Sequence, residues 1–178
     1  MRTRVVLPAV IALGSNLGDR EDNLRAAVAD IAAIDGVTVD AASGIVESHA
    51  WKPAGVDEDA PNYLNAVVLV RSALLPEQLL DELNRIEAEH GRVREKRWGD
   101  RTLDLDIVTF GSMRVTSDRL TLPHPRAADR AFVIVPWLQV QPDARLADHG
   151  PIAALPAATS GEVWPYDASP LWTTGDIA

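Results

Sequence analysis

Two carboxylates one residue apart, Asp104 and Asp106, follow five cations that fall within ten positions: Arg92, Arg94, Lys96, Arg97 and Arg101, gathered about Trp98. Strict alternation places Asp104, Asp106, Val108 and Phe110 on one face of a strand and Leu103, Leu105 and Ile107 on the other. Asp is disfavoured in strands, and two acids on one apolar face repel each other, so a cation is expected between them. Residues two apart on a strand stand about 6–7 Å from each other. Carboxylates so spaced can ligate a pair of magnesium ions about 3.5–4 Å apart, the arrangement that serves phosphoryl-type transfer. Magnesium suits the pair because it takes few protein carboxylates and completes its shell with phosphate oxygens and water. The residues therefore point to half of a site for a magnesium-bound polyphosphate. The competing reading is a solvated loop leading into an edge strand with solubilising acids.

Other residues could join such a site. His124 lies in Leu-Pro-His-Pro, with Arg119 before it and Arg126 and Arg130 after it. A lone His is more often structural, but among three arginines it is a candidate phosphate donor. Tyr63, Asn65 and Phe132 read as core or strand residues by default. Two rings and an amide could equally line a flat heteroaromatic pocket. The GSNLGD segment (14–19) is neither a Walker A loop nor a dinucleotide fingerprint. By itself it reads as a tight turn into a helix cap.

Composition narrows the field. The 178 residues predict a single domain over 1–178, with 141–178 a tail packed on it. A net charge of −9 argues against a nucleic-acid surface and makes the local basic cluster more informative. There is no cysteine, no cleavable-leader pattern and no bilayer-length apolar run, so a soluble cytoplasmic protein is expected, without membrane partners.

The elements that must position these residues follow in order. Val5–Leu13 is an apolar strand in which Pro8 predicts an edge or a bulge. A helix capped by Asp19 carries Leu24, Ala27, Val28, Ile31 and Ile34 on one stripe and closes near Gly36. Val37–Ser48 is a second strand, Ala50–Asn62 a long loop and Tyr63–Arg71 a third strand. Pro76 opens a second helix that stops at Gly91, with Leu79, Leu83 and Ile86 inward and Glu87 at the border of the core. The strand from Asp104 follows, then a short strand near Met113–Thr116 and a proline-punctuated segment. This order predicts an α+β ferredoxin-like plait, a mostly antiparallel sheet with helices packed on its faces and with its first and fourth strands central or nearly so.

Several segments together resemble the 6-hydroxymethyl-7,8-dihydropterin pyrophosphokinase family: IALGSNLGDR (11–20), NYLNAVVLV (62–70), RIEAEHGRVREKRWGDRTLDLDIVTFG (85–111) and LTLPHPRAADRAFVIVPW (120–137). The resemblance implies magnesium-dependent transfer of the β,γ-pyrophosphoryl unit of ATP to the pterin hydroxymethyl group, a step of folate biosynthesis. It implies that Asp104 and Asp106 ligate two Mg2+ ions and are catalytic together with Arg92 and Arg101. Around ATP it implies Asn84, Glu87, Arg94, Arg97, Trp98, Ile107, Arg119, Thr121, His124 and Arg130, with Arg94, Arg97 and Trp98 in a closing loop. Around the pterin it implies Tyr63, Asn65, Phe132 and Gly55. Partners are then ATP and a small pterin, and a monomer is expected. Asp100 departs from the family's usual proline and adds an acid beside the phosphate loop. Two alternatives stay open: another magnesium-dependent phosphotransferase on this architecture, and a nucleotide-binding module without turnover.

Overall fold

A computed structural model describes residues 4–52, 54–91 and 102–173. The elements run β1 (Leu7–Ser15), α1 (Arg20–Ala32), β2 (Val37–Ala42), β3 (Val46–Ser48), β4 (Ala50–Lys52), β5 (Gly55–Asp57), β6 (Tyr63–Ser72), α2 (Pro76–Glu89) and β7 (Asp104–Phe110). They continue with β8 (Val115–Thr116), β9 (Thr121–Leu122), α3 (Ala131–Val140), β10 (Arg145–Leu146), β11 (Gly150–Pro151) and β12 (Val163–Pro165).

The main sheet is ordered β12-β3-β6-β1-β7, with β2 extending the line of β3 along β6 and every pairing antiparallel. This is the ferredoxin-like plait, with one correction. β1 and β6 are the central strands, whereas β7, the fourth strand of the plait, lies at the sheet edge. The central strands are apolar on both faces, as strands covered on both sides must be. Ile11, Leu13, Leu64, Ala66 and Val68 pack beneath α1 and α2, against Leu24, Val28, Leu79, Leu83 and Ile86. Val10, Ala12 and Val67 pack on the opposite face with Ile134 and Trp137 of α3.

Local chemistry sets the helix starts. The Asp19 carboxylate accepts the Asp22 N–H at 3.1 Å and caps α1, and Pro76 occupies the first turn of α2. Pro8 itself pairs regularly with Arg71 and lies just outside the β1–β7 ladder; a bulge occurs between Val10 and Ile11, where β7 gains a residue relative to β1. It turns Phe110 onto the face of Leu105 and Ile107, not that of the aspartates as strict alternation predicts. The second predicted strand is two strands, because at Ser43 the hydroxyl takes the place of the backbone carbonyl and accepts the Val67 N–H at 2.9 Å, while the Ser43 N–H still donates to the Val67 carbonyl at 2.9 Å. Within the expected loop 50–62, β4 and β5 form a hairpin. The tail does more than pack on the surface, since β12 joins the main sheet beside β3.

Candidate active site

One cross-strand row organises the site. Gly14 of β1 lies opposite Asn65 of β6 on one side and opposite Asp104 of β7 on the other. Directly paired residues share a face, so the amide and the carboxylate flank a position with no side chain. A Cβ at Gly14 would stand 3.1 Å from Asn65 Oδ1 and 3.6 Å from Tyr63 Cδ1. In the next row on this face, Ala12 separates Val67 from Asp106. The centre strand thus forms a shallow floor between a β6 rim (Tyr63, Asn65) and a β7 rim (Asp104, Asp106). The GSNLGD segment accordingly has two roles. Gly14 and Ser15 still belong to β1, and only Gly18, at φ +70°, makes the turn.

α3 and the chain before it close one side. Arg130 Nη1 stands 3.8 Å from Asp106 Oδ2, and its guanidinium lies 5.4 Å from the centre of the Phe132 ring. The cation therefore bridges the acidic rim and an aromatic wall. The His124 N–H donates to the Val108 carbonyl at 2.9 Å, which fastens this segment to the outer edge of β7. Its Nδ1 accepts the Arg126 N–H at 3.2 Å, so the ring proton belongs on Nε2. Burial, with Arg130 and Arg126 opposing the attraction of Asp104, lowers the His124 pKa to about 4. At neutral pH this His is an uncharged Nε2–H donor.

The base of β7 is held from below. Glu87, 2% exposed, accepts the Leu105 N–H at 3.3 Å, between the two aspartates. With Leu105 bonded outward, alternation also directs the Ile107 N–H and C=O away from β1, while its side chain is buried in the core. Any contribution of Ile107 to a ligand is thus a backbone one, and the Glu87 carboxylate is turned to the strand it supports. Asn23 of α1 donates to the Thr102 carbonyl at 3.2 Å and to that of Leu17 at 3.0 Å, tying the turn to the entry of β7.

The remaining expected residues are dispersed. Arg119 pairs with Asp81 and lies 4.0 Å from Glu77 of α2, and Ser117 donates to Glu77 at 3.0 Å. These contacts dock the β8–β9 hairpin, with the exposed Thr121, on the helix that carries the half-buried Asn84. Gly55 opens β5 at φ +114° in the separate hairpin. Arg92, Arg94, Arg97, Trp98, Asp100 and Arg101 lie outside the described residues.

Sequence reasoning missed several positioning groups. Ser48 Oγ accepts from Asn65 Nδ2 at 3.0 Å. Arg20 Nη1 and Asn16 Nδ2 donate to the carbonyls of Asn62 (2.8 Å) and Pro61 (3.3 Å), just ahead of Tyr63. These polar residues carry no signal in periodicity, because their partners lie tens of positions away. Gly14 stood out only as the glycine that ends the apolar run, where it was read as part of a turn.

As a metal site the β7 rim is chemically suited to a hard cation. It offers two half-exposed carboxylates on one face, beside an open floor able to admit further oxygen ligands. Among the described residues no group of three or more metal-ligating side chains occurs, so substrate and water would complete the shell.

Comparison with known proteins places the whole chain rather than its single residues. Residues 10–142 match the model of the 7,8-dihydro-6-hydroxymethylpterin-pyrophosphokinase family. The 2-amino-4-hydroxy-6-hydroxymethyldihydropteridine pyrophosphokinase of Haemophilus influenzae is 44% identical over 138 residues, 78% of this chain and 84% of that protein. Its namesake from Bacillus subtilis is 45% identical over 132 residues, 74% of this chain and 77% of the relative. Among solved structures, wild-type Plasmodium falciparum HPPK-DHPS with pteroate superposes with a TM-score of 0.65 at 12% identity. It covers 90% of this chain, which spans 43% of that longer protein, so the likeness speaks for the fold. No helix among the described residues is long and apolar enough to cross a membrane.

Proposed function

The chain belongs to the 7,8-dihydro-6-hydroxymethylpterin-pyrophosphokinase family, and we propose that it transfers the β,γ-pyrophosphoryl unit of ATP to the hydroxymethyl oxygen of 6-hydroxymethyl-7,8-dihydropterin. The observation that carries this reading is the row Asn65–Gly14–Asp104. It sets an amide suited to a heterocycle's edge and a carboxylate suited to a metal–phosphate on opposite rims of a floor without side chains. Adjacent strands lie about 4.8 Å apart, so the rims are separated by roughly 10 Å. That span suits a pterin whose exocyclic oxygen must meet a phosphate.

In this reading Tyr63 and Phe132 hold the pterin ring and Asn65 hydrogen-bonds its edge. The hydroxymethyl oxygen forms a bond to the β-phosphorus, the bond from that phosphorus to the α-bridging oxygen breaks, and AMP departs. Asp106 is the candidate acceptor for the hydroxyl proton. Asp104 and Asp106 would hold Mg2+, two ions with ATP, which neutralises charge on the phosphate oxygens. Arg130 and the neutral Nε2–H of His124 donate to those oxygens from the α3 side, and Arg92 and Arg101 are assigned the same role. Arg94, Arg97 and Trp98 are assigned to the nucleotide on the family resemblance alone. Asn84, Arg119, Thr121 and the Ile107 backbone border the nucleotide, supported by Glu87, while Gly55 belongs to the pterin-side hairpin. Catalysis here is positioning and charge stabilisation more than strong-base chemistry.

The protein is further read as a single cytoplasmic domain over 1–178, acting as a monomer. Chromatographic product analysis with ATP, Mg2+ and the dihydropterin tests the central step. AMP and pterin pyrophosphate are expected in equal amounts; ADP, or unconsumed pterin, overturns the reading.

A further inference from the structure

We infer that β12 is a positioning element for the pterin pocket, acting through Trp164 and Glu47. The inference rests on Tyr63 and Asn65 as the pterin-holding residues. β3 is only three residues long, yet its Ser48 anchors Asn65 by the 3.0 Å hydrogen bond and lies directly opposite Tyr63. On its other side Ser48 lies opposite Val163, and the Tyr166 N–H donates to the Ile45 carbonyl at 3.0 Å. β12 thus clasps β3 along its whole length, and without it β3 would be a short, exposed edge prone to slip.

A side-chain relay runs in parallel. Trp164 Nε1 donates to Glu47 Oε1 at 3.0 Å. The other carboxylate oxygen pairs with Arg20 Nη1 at 3.1 Å, and that nitrogen donates to the Asn62 carbonyl at 2.8 Å. Asn62 is bonded directly to Tyr63. The Arg20 and Glu47 side chains are 27% and 19% exposed, so the pair is shielded more than a surface ion pair. An edge-on contact at 4.9 Å between the His49 and Trp164 rings fixes the indole. Strand pairing and relay reach the same two pocket residues, and both start beyond residue 142, where the match to the family model ends. The C-terminal segment therefore sets affinity for the pterin and leaves the metal–phosphate rim alone.

Full-length Trp164→Phe, which keeps the ring and removes the donor, tests this. KM for the dihydropterin should rise roughly five- to tenfold, with kcat and KM for ATP within about twofold of wild type. Calorimetric affinity for 6-hydroxymethylpterin, with a non-hydrolysable ATP analogue present, should fall by the same factor. Arg20→Ala should behave likewise, and the double variant should bind no more weakly than Arg20→Ala alone, because both act along one relay. Arg114→Ala, which breaks the exposed Arg114–Asp148 pair, should change none of these values. Should Trp164→Phe fail to fold, Glu47→Gln carries the same expectation. Unchanged pterin affinity in a folded relay variant, additive losses in the double, or a loss confined to kcat and ATP overturns the positioning role alone. Wild-type protein that binds no pterin overturns the functional reading as well.

Discussion

At the scale of single residues the account rests on Asp104 and Asp106, half-exposed acids on one face of a strand whose apolar residues are all buried. Asp104→Ala and Asp106→Ala should each lower turnover by at least about a hundredfold while the circular-dichroism spectrum stays native; near-normal turnover in either contradicts the metal assignment. His124 gives a second test, read as stability of the metal-free protein. Its pKa lies at about 4 in the fold against 6.5 when unperturbed, so between those values the unfolded chain binds the extra proton. Stability is full above about pH 6.5 and declines as the pH falls toward 4, by about 1–2 kcal/mol once partial exposure is allowed for. Urea titrations across that window should show this dependence flattened in His124→Gln; an unaltered slope means that other groups cause it. The Asp pair was legible in the sequence because carboxylates at a two-residue spacing stand out on an apolar strand. The state of His124 was not, since it depends on a backbone donor and on Arg130 folding back beside it.

At the scale of elements, β1 and β7 do the positioning. Gly14 is glycine for room, not for an unusual backbone, as its hypothetical Cβ contact of 3.1 Å with Asn65 makes plain. Gly14→Val should raise KM for the pterin at least about tenfold while leaving KM for ATP near wild type, a split that steady-state kinetics reads directly. Equal effects on both substrates would mean the floor is not the pterin's. β7 lies at the sheet edge, and Glu87 of α2 satisfies the outward N–H of Leu105 in place of a neighbouring strand. Glu87→Leu should cost about 1–3 kcal/mol by denaturant unfolding, and Glu87→Gln, which keeps an acceptor, clearly less. Helix starts and strand alternation were readable from Asp19, Pro76 and the apolar periods. The bulge opposite Val10 and Ile11 has its extra residue in β7, away from Pro8, so the sequence did not mark it, and it is what moved Phe110 to the other face. The split at Ser43 and the β4–β5 hairpin were not readable, because each depends on a distant partner strand.

At the scale of the whole molecule, the plait brings together segments far apart in the chain: 14, 63–65, 104–106 and 124–132 meet at one end of the sheet. The sequence order of strands and helices predicted that fold, although an edge strand, not a central one, carries the acids. The strand is thus an edge, as the competing reading had it, and its acids flank the open rows at Gly14 and Ala12 on which the proposed site is built. The role of residues 141–178 was not legible, since β12 is three residues long and is recognisable only by what it pairs with. The central claim is the identity of the group transferred, and phosphorus-31 NMR of the complete reaction tests it most directly. The account predicts AMP together with a diphosphate whose α-phosphorus couples to the pterin methylene protons, in equal amounts and only with Mg2+ present. A pterin monophosphate alongside ADP, or ATP cleaved without any phosphorus–pterin coupling, would contradict it.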